Sequence, residues 1–294
     1  MKKPIFEGTA TALITPFLKD GVDFKALEKL IDFQLNGGVN ALVILGTTGE
    51  PATMTEHEKE MTVRLAVHRV GGRIPVIVGA SSNCTATAIQ NAKNAERWGA
   101  DGLLVATPYY NKCTQNGLLK HYAAITTVTN LPVIAYNVPS RTGVNLLPET
   151  FAKIAKLKNV VGIKEASGNM AQITRLASLV KDDVAIYSGD DGLTVPIMSV
   201  GGKGVISVAS NVVPKFVADM TKTYLRGDHS SALEKQLALL PLVEALFCEV
   251  NPIPVKKACE LWGLSNGRPR LPLTPATKKT TLLLKKELAK FDEF

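Results

Sequence analysis

The chain has 294 residues, 46% of them apolar and 20% charged, with a formal net charge of +8. That apolar fraction excludes intrinsic disorder, and the length allows either one large α/β barrel or two ordinary domains. With 23 Gly and 16 Pro the chain is neither fibrous nor low in complexity.

Short apolar runs, β-branched or Leu-rich and without strict alternation, occur at 10–14, 41–45, 76–78, 102–106, 133–136, 160–163, 185–187 and 204–208. Such runs predict strands covered on both faces. Helix-period segments lie between them. Residues 23–35 put Phe24, Leu27, Leu30, Ile31, Phe33 and Leu35 on one side. Residues 55–70 open on Thr55 and Glu58, a capping-box spacing. Residues 85–98 are Ala-rich and precede Gly99, which fits a C′ glycine. Segments 115–128, 148–157, 169–180 and 191–199 complete the series, and Pro148 suits a first helical position. Strand then helix, eight times over, predicts an α/β fold of the (β/α)8 TIM barrel type. A doubly wound sheet is the main rival, but its G-x-G-x-x-G fingerprint is absent after the early strands. Beyond Pro214 the β signal disappears, and 216–226, 230–248, 254–262 and 275–291 read as helix. The expected division is a catalytic barrel over 1–224 and a C-terminal helical extension over 225–294.

The positive charge raises the question of a nucleic acid or an anionic membrane as partner. Residues 251–294 carry nine Lys or Arg against four acids, so five of the eight excess charges fall there. No interleaved aromatics offer stacking for bases, so we read a solvated helical face and no nucleic acid. Cys84, Cys113, Cys248 and Cys259 are irregularly spaced, as in a reduced, cytoplasmic protein. His57, His68, His121 and His229 form no ligand cluster, so neither metal nor cofactor is expected. Met1-Lys2-Lys3-Pro4 has the charge of a signal n-region, but Glu7, Gly8 and Pro16 break any apolar core after it. No apolar run reaches the ~18 residues of a membrane span.

In such barrels the reacting groups sit at the C-terminal ends of the strands. The sixth run ends in Val161-Gly162-Ile163-Lys164-Glu165. A lysine there points into the barrel mouth, where burial favours the neutral, nucleophilic amine and a Schiff base with a carbonyl. The alternative is a structural lysine paired with a nearby carboxylate. The fifth run leads into Tyr136-Asn137-Val138-Pro139-Ser140-Arg141-Thr142-Gly143. Tyr136 is either a proton carrier or packing. Arg141 is either a bidentate carboxylate ligand or a surface group. The second run ends in Gly46-Thr47-Thr48-Gly49-Glu50, which can cradle an anion or simply turn the chain. Thr107-Pro108-Tyr109-Tyr110-Asn111 exposes two tyrosines, unusual without a partner surface. The seventh run ends in Ser188-Gly189-Asp190-Asp191. Gly201-Gly202-Lys203-Gly204 precedes its strand and reads as a far-face turn rather than a phosphate loop. Lys, Tyr, Thr and Arg on one rim suit carbonyl chemistry through an imine.

These three motifs, in this order, resemble the dihydrodipicolinate synthase family. It lies in the Schiff-base pyruvate aldolase superfamily alongside N-acetylneuraminate lyase. The resemblance covers essentially the whole chain. It implies condensation of pyruvate with L-aspartate-4-semialdehyde, the first committed step of lysine and diaminopimelate biosynthesis. Lys164 and Tyr136 are shared across the superfamily, whereas Thr47, Thr48 and Arg141 favour the synthases over sugar-acid lyases. By resemblance, Lys164 forms the imine, and Tyr136, Thr47 and Tyr110 form a proton relay, with Tyr110 supplied by a neighbouring subunit. Thr48 then holds the pyruvate carboxylate and Arg141 that of the semialdehyde, with Gly189 and the backbone carbonyl of Ile206 beside the site. A homodimer or homotetramer follows. Asn83 and Tyr109 match the effector cleft of lysine-inhibited relatives. Pro51, Glu56 and Thr87 depart from it, since inhibited relatives carry His and Glu at the last two positions. The rival readings are a sugar-acid aldolase or lyase of the superfamily and a non-catalytic ligand-binding barrel.

Overall fold

A computed structural model describes residues 2–291; Met1, Asp292, Glu293 and Phe294, which entered the counts above, lie outside the described residues. Eight parallel strands close a barrel: β1 Gly8–Ala12, β2 Ala41–Ile44, β3 Val76–Gly79, β4 Gly102–Ala106, β5 Val133–Asn137, β6 Val160–Glu165, β7 Ala185–Ser188 and β8 Gly204–Ser207. Each pairs with its sequence neighbours, and β8 closes onto β1 with Ala10 beside Ile206. This is the expected TIM barrel.

The strands alternate in destination although not in hydrophobicity. On β2, Leu42 and Ile44 face the outer core while Ala41 and Val43 face the barrel interior. On β3, Val76 and Val78 point out and Ile77 points in. Both faces are therefore apolar, which is why the runs read as continuous. Small interior residues, Ala10, Ala12, Ala41 and Ala106, leave room for Tyr136 and Tyr187. At the N-terminal end Phe6 stacks on Tyr187 with ring centroids 4.3 Å apart, and the tyrosine hydroxyl donates to the Phe6 carbonyl at 2.7 Å.

The barrel helices are α1 Phe24–Asn36, α2 Glu56–Val70, α3 Thr85–Arg97, α4 Gln115–Thr126, α5 Pro148–Ile154, α6 Met170–Val180, α7 Thr194–Ser199 and α8 Pro214–Leu225. Thr55 and Glu58 form the capping box at the start of α2. Gly99 takes φ +93° just past α3, a conformation costly for residues with a Cβ. Three helices follow the barrel: α9 His229–Leu246, α10 Ile253–Leu261 and α11 Lys278–Leu288. Leu239, Leu242 and Leu246 of α9 are fully buried in the outer core. Each contributes about 1.5–3 kcal/mol of transfer free energy before chain entropy is counted.

Several boundaries differ from the sequence expectation. The first strand runs over Gly8–Ala12 rather than 10–14. Leu13 and Ile14 are buried, but in the loop beyond it, because hydrophobicity reports burial and not ladder pairing. The stretch at 191–199 divides into a 3-10 turn, Asp191–Leu193, and α7. The last helix, expected at 275–291, starts at Lys278 because the Thr277 hydroxyl caps it by accepting from the Thr280 N–H. A short antiparallel ribbon, Phe17–Leu18 with Gly21–Val22, was not foreseen.

The basic extension is not simply a solvated face. The Lys256 side chain is 1% exposed and ion-paired with Glu50, and Arg270 is partly buried against Glu58. Among the described residues no helix is long and apolar enough to cross a membrane.

Candidate active site

The β5–β6 register sets Tyr136 beside Lys164, so the two side chains leave adjacent strands on the same face. Lys164 is 4% exposed, and its Nζ lies 4.5 Å from the centroid of the Tyr136 ring. Burial strips water from the ammonium and lowers the amine pKa to about 8; Asp191 opposes that shift and Arg141 adds to it. At pH 7 about a tenth of such amines are neutral, against roughly 0.03% at the ordinary value. Burial also pushes the Tyr136 phenol up to about 12, with Arg141 opposing. The phenol therefore stays protonated at neutral pH, able to donate and to accept.

Glu165, next in sequence to the lysine, and Asp191, whose charge acts on its amine, both accept hydrogen bonds from other groups. Glu165, on the opposite face of β6, accepts from Asn137 Nδ2 at 3.1 Å and from the Ser167 N–H at 2.7 Å. Asp191 accepts from the Val208 and Ala209 N–H groups at 2.8 and 3.1 Å. Gly189 at the end of β7 has no room for a side chain: a Cβ there would stand 2.9 Å from Lys164 Cε and 2.8 Å from Ala166 Cβ. Glycine lets the backbone close over the lysine stem.

After β2, Thr47–Gly49 form one 3-10 turn between two left-handed residues, Leu45 at φ +57° and Glu50 at φ +54°. Each left-handed residue costs about 1–3 kcal/mol, so the surroundings must hold the loop. At Glu50 the C-terminal extension supplies the hold. Glu50 Oε2 accepts from the Arg270 N–H at 3.0 Å, and Oε1 pairs with Lys256. Lys256 also donates to the Arg268 carbonyl at 2.8 Å and stands 4.2 Å from the Phe17 ring centroid. The Arg270 guanidinium lies 4.0 Å from the same ring centroid and grips Glu58, whose carboxyl falls to about 2 chiefly through that bond. Sequence reasoning missed this network because Lys256 and Arg270 read as surface from their charge.

It also missed Asn251, in the turn between α9 and α10. Asn251 Nδ2 donates to Thr48 Oγ1 at 3.0 Å, and its main-chain carbonyl accepts from Arg141 Nη2 at 3.1 Å.

A cavity of 620 Å³ opens at the C-terminal end of the barrel, lined by Thr47, Thr48, Tyr136, Arg141, Lys164 and Gly189 among others. The fold thus converges six of the eight expected catalytic and substrate-binding residues. The other two are not among the residues that line it. Ile206 is fully buried in the barrel interior and does not line the cavity, whereas Val208, two residues on, does. Tyr110 is 89% exposed, left-handed at φ +69°, and lines no part of the cavity. An adjoining cavity of 520 Å³ shares Thr47, Tyr136, Arg141 and Asn251 and extends to Pro51, Glu56, Thr87 and Tyr109. Asn83 does not line it; its carbonyl accepts from Asn111 Nδ2 at 3.0 Å. A partly neutral amine, a protonated phenol, hydroxyls and one guanidinium around a small cavity suit imine chemistry on a carboxylated carbonyl compound.

Comparison with known proteins agrees with this geometry. The family model described as the dihydrodipicolinate synthetase family matches residues 5–291. A 4-hydroxy-tetrahydrodipicolinate synthase of Alkaliphilus oremlandii is 54% identical over 286 residues, covering 97% of this chain and 99% of that one. The solved dihydrodipicolinate synthase of Thermotoga maritima superposes with a TM-score of 0.96 at 49% identity, covering 97% of this chain and 98% of that one. A second structure, described as a monomeric dihydrodipicolinate synthase variant, has the same TM-score and identity and covers 97% of each chain. A strand-end lysine in a closed eight-stranded barrel does not by itself fix an activity, but identity near one half along almost the whole length narrows the choice, and the chain belongs to the dihydrodipicolinate synthetase family.

Proposed function

We propose that the chain is a lyase condensing pyruvate with L-aspartate-4-semialdehyde to give 4-hydroxy-tetrahydrodipicolinate, for lysine and diaminopimelate biosynthesis in the cytoplasm. The observation that carries this reading is the buried Lys164 beside Tyr136, its amine lowered to about 8, inside a cavity that also holds Thr48 and Arg141. The neutral Lys164 amine adds to the pyruvate ketone, and water leaves as the imine forms. Loss of a methyl proton gives an enamine, whose carbon adds to the aldehyde. The product's own amine then displaces Lys164 and closes the ring, returning the enzyme amine. Thr48 donates to the pyruvate carboxylate, and Arg141 takes the carboxylate of the semialdehyde. Tyr136 and Thr47 carry protons between ketone oxygen, water and solvent.

Tyr110 completes that relay from a second copy in a homodimer or homotetramer. Its near-complete exposure and strained backbone favour a residue aimed away from its own barrel. Gly189 and the Ile206 main chain border the lysine. By resemblance Asn83 and Tyr109 belong to an effector cleft; Tyr109 lines the adjoining cavity and Asn83 does not, and Thr87 brings no carboxylate there to pair with a lysine ammonium.

Turnover assays decide among the readings. Pyruvate with aspartate semialdehyde should far outpace N-acetylneuraminate or 2-keto-3-deoxygluconate. Cleavage of either sugar acid at a higher kcat/KM would replace the synthase by a lyase, and no turnover of any of them would favour a binding barrel.

A further inference from the structure

Asn251 touches both groups to which the proposed function gives a substrate carboxylate, and it comes from outside the barrel. It is 6% exposed and sits in the turn after α9. Thr48, 203 positions earlier, is 2% exposed. A threonine hydroxyl has one proton and two lone pairs. Asn251 Nδ2 donates to Thr48 Oγ1 at 3.0 Å, which occupies a lone pair and leaves the hydroxyl proton free for another acceptor. The same residue's carbonyl receives Arg141 Nη2 at 3.1 Å, which holds the otherwise exposed guanidinium at the cavity wall.

We infer that Asn251 is a positioning residue for the reaction: its side chain sets the polarity of Thr48 so that the hydroxyl donates to the pyruvate carboxylate, and its main chain anchors Arg141. This rests on the assignment of Thr48 to pyruvate and Arg141 to the semialdehyde. The two links are chemically separable. A side-chain substitution removes the first and leaves the carbonyl of the second in place. The C-terminal extension then contributes to substrate binding through the residues it positions, Thr48 and Arg141.

The test is a comparison of Asn251→Ala and Asn251→Asp in the full chain. Pyruvate and semialdehyde KM are measured together with the pyruvate concentration that half-saturates borohydride trapping on Lys164. Asn251→Ala frees Thr48 to rotate and should raise pyruvate KM about tenfold while moving semialdehyde KM less than about threefold. Asn251→Asp keeps the size but replaces the donor with an acceptor. It captures the Thr48 proton and adds a negative charge near the carboxylate, so pyruvate KM should rise further than in Asn251→Ala. Packing alone predicts the opposite order, because Asp fills the space that Ala empties. An aspartate variant closer to wild type than the alanine variant overturns the proposal, as does an equal rise in both KM values. Failure of the wild-type chain to trap pyruvate at all would instead refute the underlying reading of the site.

Discussion

Replacing Lys164 with methionine removes a buried charge while keeping an unbranched stem of similar length, and it should make the protein more stable. The lysine amine falls from 10.5 to about 8 on folding, chiefly through burial. Each unit is worth 1.36 kcal/mol, so the folded state carries a penalty of about 3 kcal/mol wherever the amine is charged in both states. The sign follows from proton counting. Below about pH 8 folded and unfolded chains both hold the proton and the penalty is complete. Between about 8 and 10.5 the unfolded chain binds more protons than the folded one, so wild-type stability gains as pH rises through that window. Lys164→Met should therefore raise Tm at pH 7 by roughly 6 °C for a chain of this size. The advantage should shrink as the pH approaches 10. Thermal unfolding of both proteins at pH 7 and pH 10 reads the difference. Equal Tm at pH 7, or an advantage that persists unchanged at pH 10, would refute the idea that burial holds this amine near neutrality.

The same depressed amine governs imine formation with pyruvate. Its trapping rate should climb about tenfold per pH unit up to a bend near 8, and a rise without a bend to pH 10 contradicts the assignment. Glu50→Gln leaves the Lys256 ammonium buried beside Phe17 without its counter-charge and should cost about 3–5 kcal/mol in denaturant unfolding, with the double variant Glu50→Gln/Lys256→Met recovering most of it. A cost below about 1 kcal/mol would show that water enters and screens the pair. Millimolar L-lysine should leave turnover largely intact, because Glu56 and Thr87 replace the His and Glu pattern of inhibited relatives; strong inhibition in a steady-state assay would sink that expectation.

The barrel was legible because most strands, such as β2 and β3, are apolar on both faces, and because several helices carry recognisable caps, such as the box at Thr55 and Glu58. The strand whose bounds were misplaced is β1, with buried Thr9 and Thr11 on one face. The strand-end residues were legible for a related reason. A lysine closing an apolar run, as in Val161-Gly162-Ile163-Lys164, has few places to go except the barrel mouth. The register that puts Tyr136 beside it then follows from the parallel ladder. What escaped the sequence lies at long separation. Asn251 and Thr48 are 203 residues apart, and nothing in an Asn-Pro turn marks it as reaching a barrel rim. Lys256 read as surface from its charge alone; it lies one turn from the fully buried Cys259, on the inner face of α10, where it meets Glu50. Tyr110 illustrates the opposite limit. Its exposure was anticipated from the adjacent tyrosines, but a single chain gives it nothing to touch in the cavity.

The central claim is that one lysine at the end of β6 carries pyruvate as an imine, and borohydride reduction in the presence of pyruvate tests it directly. Peptide mass mapping should find a single pyruvate-derived adduct, on Lys164, that disappears in a folded Lys164→Ala variant. An adduct on another lysine, or none on the active wild-type enzyme, would contradict it.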